Sequence, residues 1–443
     1  MCCKTLNRNY LSFLTQNIVY KYLYMRPILA EVVTIGDEIL YGQITDTNTQ
    51  WMSTELDKIG IKTVRKSSVG DQEDKILQIL AEAESRADII LLTGGLGPTK
   101  DDITKKTLCK YFNDSLVIND DALGFITDFF TKRGRPMTEL NRLQATIPSK
   151  STYLANKTGT APGMWFEKNG KIFVSMPGVP HEMKYLMSNE VIPRLKTFFE
   201  TPIIYHKLIR TIGVGESFLA EKIENWEDNL PEHIKLAYLP SFGQVKLRLT
   251  AVGNDEEILR KDVDAEIEKV LPLIGSSVFG FDNDDLEVAI GKELKKKGLT
   301  VSVAESCTGG YISHLFTKVP GSSVYFMGSV VSYDNSVKIN VLGVKEETIL
   351  THGAVSEETV IQMAEGVRKL LKTDFAIATS GVAGPDGGTA EKPVGTLWMA
   401  CAMEGRTVAR KVQMANQRDT NINYGSVVAL NLLRKMLNGD YEN

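Results

Sequence analysis

A chain of 443 residues with 43% hydrophobic, 24% charged and 8% aromatic residues has a globular make-up, which excludes wholesale disorder, collagen-like repeats and a small disulfide scaffold. Lys and Arg (51) against Asp and Glu (55) leave a formal charge of −4, which excludes a nucleic-acid coat or a polybasic membrane binder. Five cysteines (Cys2, Cys3, Cys109, Cys307, Cys401) without a C-x-x-C pair read as reduced thiols, as expected in the cytoplasm.

Residues 1–27 hold no 18-residue apolar run, because Gln16, Asn17, Lys21 and Arg26 interrupt it, and no A-x-A-like cleavage site follows. We expect a disordered or spurious extension ahead of the first strand. Strand and helix then alternate. Ile28–Ile35 is β-rich and ends at Gly36; a helix from about Asn48, read as its N-cap, runs to Gly60. Ile61–Val69 reads as a strand, Gln72–Arg86 as a helix and Asp88–Thr93 as a buried strand. This alternation predicts a doubly wound α/β domain over 28–194, with ligands beyond the carboxyl ends of its strands.

Residues 195–280 change character. Tyr205–Ile212 and Val245–Val252 read as strands, Glu216–Asn225 and Glu256–Leu271 as helices, and Phe279–Asp282 as a linker, giving a small α+β module. Residues 284–443 form a second α/β domain. Helix Leu286–Lys297 closes at Gly298, and strand Leu299–Ala304 leads into a turn and helix opened by Ser306. Strand Tyr325–Tyr333, helix Glu357–Leu371, strand Asp374–Ser380, a hairpin turning at Glu404-Gly405 and helix Ile422–Leu437 complete it.

Two places carry chemistry. In the first domain, Gly94-Gly95-Leu96-Gly97-Pro98-Thr99-Lys100-Asp101-Asp102 and Gly36-Asp37-Glu38 both follow strands. Gly-rich backbone there suits a phosphate, and four nearby carboxylates suit an oxygen-ligated divalent ion such as Mg²⁺, although Asp101 and Asp102 also suit simple helix capping. In the last domain, Ser306 stands where helix N-terminal amides would face a developing oxyanion, and Lys338 with Tyr333 offers a base and a relaying hydroxyl. Cys307 is the rival nucleophile; His314 and His352 lie less favourably, and Ser306 also suits a plain N-cap. Five histidines without H-E-x-x-H argue against zinc.

The strings TIGDEIL (34–40), TDTN (45–48), TGGLGPTKDD (93–102), NKTGTAPG (156–163) and MPGVPHEM (176–183) resemble the N-terminal domain of the CinA family, itself similar to the MoaB/MogA fold. AESCTGG (304–310), GSVVSYDNSVK (328–338), GAVSEET (353–359) and SGVAGPDGGTAEKPVGT (380–396) resemble its C-terminal nicotinamide-nucleotide amidase domain. The resemblance runs from about Leu29 to the C-terminus. In the first domain it implies hydrolysis of ADP-ribose to AMP and ribose 5-phosphate. Gly36, Gly94, Gly95, Gly97 and Thr99 would cradle the phosphates, and Asp37, Glu38, Asp101 and Asp102 would handle metal and water. In the last domain it implies hydrolysis of nicotinamide mononucleotide to nicotinate mononucleotide and ammonia, a salvage step needing no cofactor. Ser306 would be nucleophile, Lys338 base and Tyr333 helper, with Thr308, Gly309, Gly310, Gly381, Gly384, Asp386, Gly387, Gly388, Thr389 and Arg418 on the substrate. The family pattern carries a second arginine where Asn423 stands, which weakens the expected phosphate grip.

The middle module resembles a KH domain around Gly213-Val214-Gly215-Glu216. With nine Lys and Arg against thirteen Asp and Glu over residues 202–275, it suits a structural or dimerising element and not nucleic-acid binding. The expected partners are the two nucleotides and a second copy in a homodimer, with no membrane. The alternative from another class is a nucleotide- or molybdopterin-binding scaffold linked to competence or DNA damage, without catalysis.

Overall fold

The computed structural model describes residues 26–99 and 102–441. The expectation for residues 1–27 falls, up to residue 25, outside the described residues, as do those for Lys100 and Asp101. Two compact units form: one up to Tyr205 with Val252–Leu259, the other from His206–Ala251 and from Arg260 onward. Among the described residues no helix is long and apolar enough to cross a membrane.

The first unit is built on β1 (Leu29–Ile35), β2 (Lys62–Val69) and β3 (Ile89–Thr93), interleaved with α1 (Thr47–Asp57) and α2 (Glu73–Arg86). There follow α3 (Thr104–Tyr111), the ribbon β4 (Leu116–Ile118) and β5 (Thr146–Pro148) flanking α4 (Asp120–Thr131), then β6 (Thr152–Leu154), β7 (Gly163–Lys168), β8 (Lys171–Met176) and α5 (Pro180–Leu186). The main sheet runs β2-β1-β3-β8-β7-β6. Its first four strands are parallel, as the alternation predicts, whereas β7 and β6 are antiparallel. The reversal is local: Asn169 (φ 54°) and Gly170 (φ 74°) make the tight β7–β8 turn that only such residues adopt easily.

All five β3 residues are buried because the sheet is covered on both faces. Ile89 and Leu91 pack with Met52 and Leu56 of α1 and Met183 of α5; Ile90 and Leu92 pack with Ile76 and Leu80 of α2 and Leu108 of α3. Lys105 of α3 is also buried, and its Nζ donates to the carbonyl of Gln144 at 2.7 Å.

The second unit opens with a four-stranded sheet of β9 (Ile203–Ile212), β10 (Ile234–Ser241), β11 (Gln244–Gly253) and β12 (Val278–Phe281), in the order β10-β11-β9-β12, with α6 (Glu216–Asp228) and α7 (Glu256–Ile274). The segment read as a linker is therefore a strand: β12 pairs antiparallel with β9, Val278 opposite Thr211 and Phe281 opposite Ile209. Gly280 is no breaker there; a Cβ on it would come within 2.7 Å of Asp284 Cβ, so the close approach requires glycine.

The chain continues through α8 (Leu286–Lys297), β13 (Val301–Glu305), α9 (Tyr311–Thr317), β14 (Phe326–Val331), α10 (Asn335–Asn340), α11 (Glu346–His352) and α12 (Glu357–Leu371). It ends with β15 (Phe375–Gly381), β16 (Thr396–Met403), β17 (Arg406–Gln413) and α13 (Arg418–Leu437). The sheet runs β14-β13-β15-β16-β17, parallel at the first three strands and antiparallel at the β16–β17 hairpin. On one face Val301, Val303 and Ile377 meet α8 and α13. On the other, Ala304, Ala376, Ala378, Ala400 and Ala402 make a shallow floor for α12.

That close seating reverses an ordinary propensity. Alanine normally improves a helix interior over glycine by about 1 kcal/mol, but a Cβ on Gly366 of α12 would lie 1.9 Å from the Leu342 carbonyl. Gly366→Ala should lose about 1–3 kcal/mol in urea unfolding; a gain would show that α12 can lift away. Burial lowers the Lys105 pKa from 10.5 to about 8. Between those values the unfolded chain holds the proton and the folded one releases it, so this group's contribution to stability rises with pH. The stability deficit of the wild type against Lys105→Met should shrink from pH 8 to 10, by at most about 1.4 kcal/mol per pH unit. A constant difference would show that Lys105 titrates as in water.

Candidate functional site

In the first unit a cleft of about 530 Å³ opens at the carboxyl ends of β1, β3 and β8, where a doubly wound sheet leaves its crevice. Gly36, Gly94, Gly95 and Gly97 line it, as the glycine turns predict. Gly94 (φ 116°) passes so close to β1 that a Cβ would strike the Ile35 carbonyl, and Gly95 (φ 63°) lies against the Thr104 hydroxyl. The cradle itself is held by the protein's own charge. Asp102 accepts from the N–H of Gly97 (2.7 Å) and Thr99 (2.9 Å) and from the Thr99 hydroxyl.

Of the four acids named from sequence three are described, and Asp37, Glu38 and Asp102 by themselves do not group as a metal set. Asp101 lies outside the described residues. Asp37 donates its N–H to Asp71 at 3.1 Å and sends its carboxylate beside Gly70, while Glu38 lies over Gly36. Glu38 and Asp102 line the cleft and Asp37 does not. Among the described residues no three His, Cys, Asp or Glu are grouped to hold a metal, and no step is assigned to one.

Asn48 was expected to cap α1. Asp46 does so instead, accepting from Thr49 N–H at 3.0 Å while the Thr34 hydroxyl donates to it at 2.6 Å. A cap two residues earlier leaves Asn48 on the cleft wall, where its Nδ2 donates to Thr93 Oγ1 (3.1 Å) and to the Gly178 carbonyl (2.7 Å). Gln144 and Glu182 line the cleft too and were not singled out from sequence. Asn48 and Glu182 fall inside the TDTN and MPGVPHEM strings, which was the available signal; Gln144 left none.

In the second unit β13 ends at Glu305 and the chain turns over Ser306–Gly310 before α9 begins at Tyr311. Ser306 therefore does not open the helix, because Gly309 (φ 62°) and Gly310 (φ 100°) insert a left-handed turn first. The N-terminal amides of α9 are also not aimed at Ser306. Glu305, fully buried, accepts from the N–H of Gly310 (3.0 Å), Ile312 (3.1 Å) and Ser313 (2.9 Å), and from the hydroxyls of Thr308 (2.7 Å) and Ser313 (2.5 Å). Within the turn, Ser306 N–H goes to Thr379 and Gly309 N–H to the Ser306 carbonyl. The N–H groups of Cys307 and Thr308 are given to no other described residue. Glu305 was missed from sequence; the signal was an acid set just ahead of a Gly-Gly entry into a helix.

Ser306 is 9% exposed. Lys338 is 1% exposed, and its Nζ donates to the carbonyls of Ser332 (2.8 Å) and Tyr333 (3.1 Å). Burial holds its pKa below the usual lysine value, with Asp334 opposing that shift. Tyr333 is an exposed rim residue whose hydroxyl accepts from Arg418 at 3.1 Å, while the other Arg418 nitrogen donates to the Gly384 carbonyl at 2.8 Å. The structure thus joins Tyr333, Arg418 and the Gly-rich loop. Cys307 sits in the apolar core and burial pushes its thiol up to about 12, although the Lys338 and Arg418 charges act to lower it. A thiol held protonated in this way is a weaker nucleophile than a thiolate, which weighs against the rival.

The loop residues divide. Gly381 packs against Cys307, and Gly384 (φ 86°) and Gly388 against Val394, whereas Gly387 (φ 92°) has open space around it and Asp386 is exposed. Thr389 and Lys392 satisfy each other, Thr389 N–H donating to the Lys392 carbonyl at 3.0 Å. Asn423 bonds back to the Asp419 carbonyl. His314 lies against the Tyr311 ring and His352 beside Glu358, so neither histidine is committed to Ser306.

Three families match this chain in order: a probable molybdopterin binding domain over residues 31–197, the damage-inducible protein CinA KH domain over 206–280 and the CinA C-terminal domain over 283–437. A CinA-like protein of Cytophaga hutchinsonii is 54% identical over 93% of this chain and 98% of its own. One of Flavobacterium psychrophilum is 49% identical over 93% and 99%. Among solved structures, competence/damage inducible protein CihA from Agrobacterium tumefaciens matches at 39% identity and a TM-score of 0.34, covering 34% of this chain and 93% of that one. With identity of this extent over nearly its whole length and all three domains in order, the chain belongs to the CinA family.

Proposed function

We propose that the last domain is an amidase that converts nicotinamide mononucleotide and water to nicotinate mononucleotide and ammonia. The observation that carries this reading is the Ser306 turn: Glu305 and the carbonyls of Thr379, Ser306 and Thr308 occupy the other backbone donors, and the N–H groups of Cys307 and Thr308, which bond to no other described residue, are those available to an oxyanion. Ser306 Oγ attacks the carboxamide carbon and its proton passes to Lys338 Nζ, which burial keeps receptive. The C–N bond then breaks, the amide nitrogen takes that proton and leaves as ammonia, and water releases the acid from Ser306. Tyr333, Arg418, Asp386 and Gly387 meet the ribose phosphate at the rim, where the guanidinium supplies the charge.

In the same reading the first unit hydrolyses ADP-ribose to AMP and ribose 5-phosphate. Its glycine loop takes the diphosphate on backbone N–H groups as Asp102 yields them; the freed Asp102 carboxylate accepts a proton from the water that attacks phosphorus, and the bridging P–O bond breaks.

Ammonia release from nicotinamide mononucleotide, without added metal, tests the amidase. Ser306→Ala should lose at least about 1000-fold in kcat, as removal of a nucleophile does, and Cys307→Ala should keep most of the activity. Full activity in Ser306→Ala would remove the mechanism. A silent wild type that is nonetheless stabilised by the nucleotide would favour a binding scaffold. For the first unit, Asp102→Asn should suppress AMP release from ADP-ribose about 100-fold or more, the scale of a lost charge-assisted contact in an active site; unchanged turnover would take Asp102 out of the reaction.

A further inference from the structure

Two side-chain atoms in the cleft of the first unit are buried and have no partner: Asn48 Oδ1 and Gln144 Oε1. Asn48 is 7% exposed and Gln144 6%, so water does not readily satisfy either. Seven such atoms occur among the described residues, and two in one cleft is a concentration that asks for a ligand. The Asn48 amide cannot simply be turned over, because its Nδ2 already donates to the Gly178 carbonyl and Thr93 Oγ1. Its free atom is therefore an acceptor. Lys105 holds the Gln144 backbone carbonyl, which ties down the backbone from which this side chain reaches the cleft.

We infer that Asn48 and Gln144 are specificity-determining residues that read hydrogen-bond donors on the ligand, and that the donors are ribose hydroxyls beside the diphosphate. This rests on the cleft being the diphosphate-cleaving site. A diphosphate dianion or trianion brings acceptors and almost no donors, so on its own it leaves both amide atoms unsatisfied. A ribosyl diphosphate brings vicinal hydroxyls within one sugar of the phosphates and fills them. Burying an unpaired polar group lowers the stability of the free protein, and the bound ligand recovers that loss, which makes discrimination against a ligand lacking the hydroxyls steep.

The test is calorimetric titration of wild type, Asn48→Ala and Gln144→Met with ADP-ribose, ADP, 2′,3′-dideoxy-ADP and inorganic pyrophosphate. Each variant should bind ADP-ribose about 10-fold more weakly, the scale of one lost neutral hydrogen bond, and pyrophosphate within about twofold of wild type by the same argument. Gln144→Met should also raise the melting temperature of the free protein, because it removes a buried unpaired atom at nearly constant shape; a residue with a merely structural role would lower it. Dideoxy-ADP binding as tightly as ADP, with ADP-ribose binding no more tightly than ADP, would take the donors away from both riboses and overturn the ribose assignment. Parallel weakening of ADP-ribose and pyrophosphate, or no weakening of either, would overturn the inference while leaving ADP-ribose cleavage standing. A wild type that neither binds nor cleaves ADP-ribose would remove the cleavage reading and the inference together.

Discussion

Each candidate site depends on one constraint: a glycine-rich turn at the end of a central strand exposes more backbone N–H groups than nearby backbone can accept. Such donors must find partners once they are enclosed. In the second unit Glu305 collects five of the donors around its turn. In the first, Asp102 collects those of Gly97 and Thr99. Both carboxylates lie next to the sites in sequence, so the turn and its acceptor are specified together.

The two carboxylates have different consequences because they differ in burial. Glu305 is fully buried and is spent on two hydroxyls and three amides, so its bonds fix the turn's shape and it is unsuited to handing protons to a substrate. It leaves a small remainder, the N–H groups of Cys307 and Thr308, and that remainder is what the proposed reaction draws on. Asp102 is only half-buried and stands on a loop lining an open cleft. An arriving anion competes with it for the same amides, so this cradle is ready-made but self-occupied.

Much of this was legible in the sequence. The α8 and α12 boundaries, the Glu404-Gly405 turn and the buried β3 all follow from periodicity and caps. The glycine positions of both loops follow from strand ends. What failed has physical reasons. β12 hid because Gly280 reads as a break, while its actual reason is close contact with Asp284. The antiparallel edge of the first sheet was signalled by Asn169-Gly170, which the helix–strand alternation overshadowed. Ser306 looked like the first residue of a helix because a strand-to-helix junction is the commoner reading of its neighbours; two left-handed glycines shift the start to Tyr311.

A margin of two residues matters most at α1. Asn48 and Asp46 are both good caps by type, and sequence alone does not choose between them. The structure chooses Asp46 because Thr34 on β1 donates to its second oxygen, a contact that has no local sequence trace. That choice removes Asn48 from helix capping and ties its amide nitrogen to Thr93 and Gly178 at the ends of the neighbouring strands. Its oxygen then stays buried and unpaired in the cleft wall. A hydrogen bond between Thr34 and Asp46, twelve residues apart, thus decides whether this asparagine caps a helix or joins the cleft wall, and the lining of such a cleft is set by tertiary contacts that no short motif records.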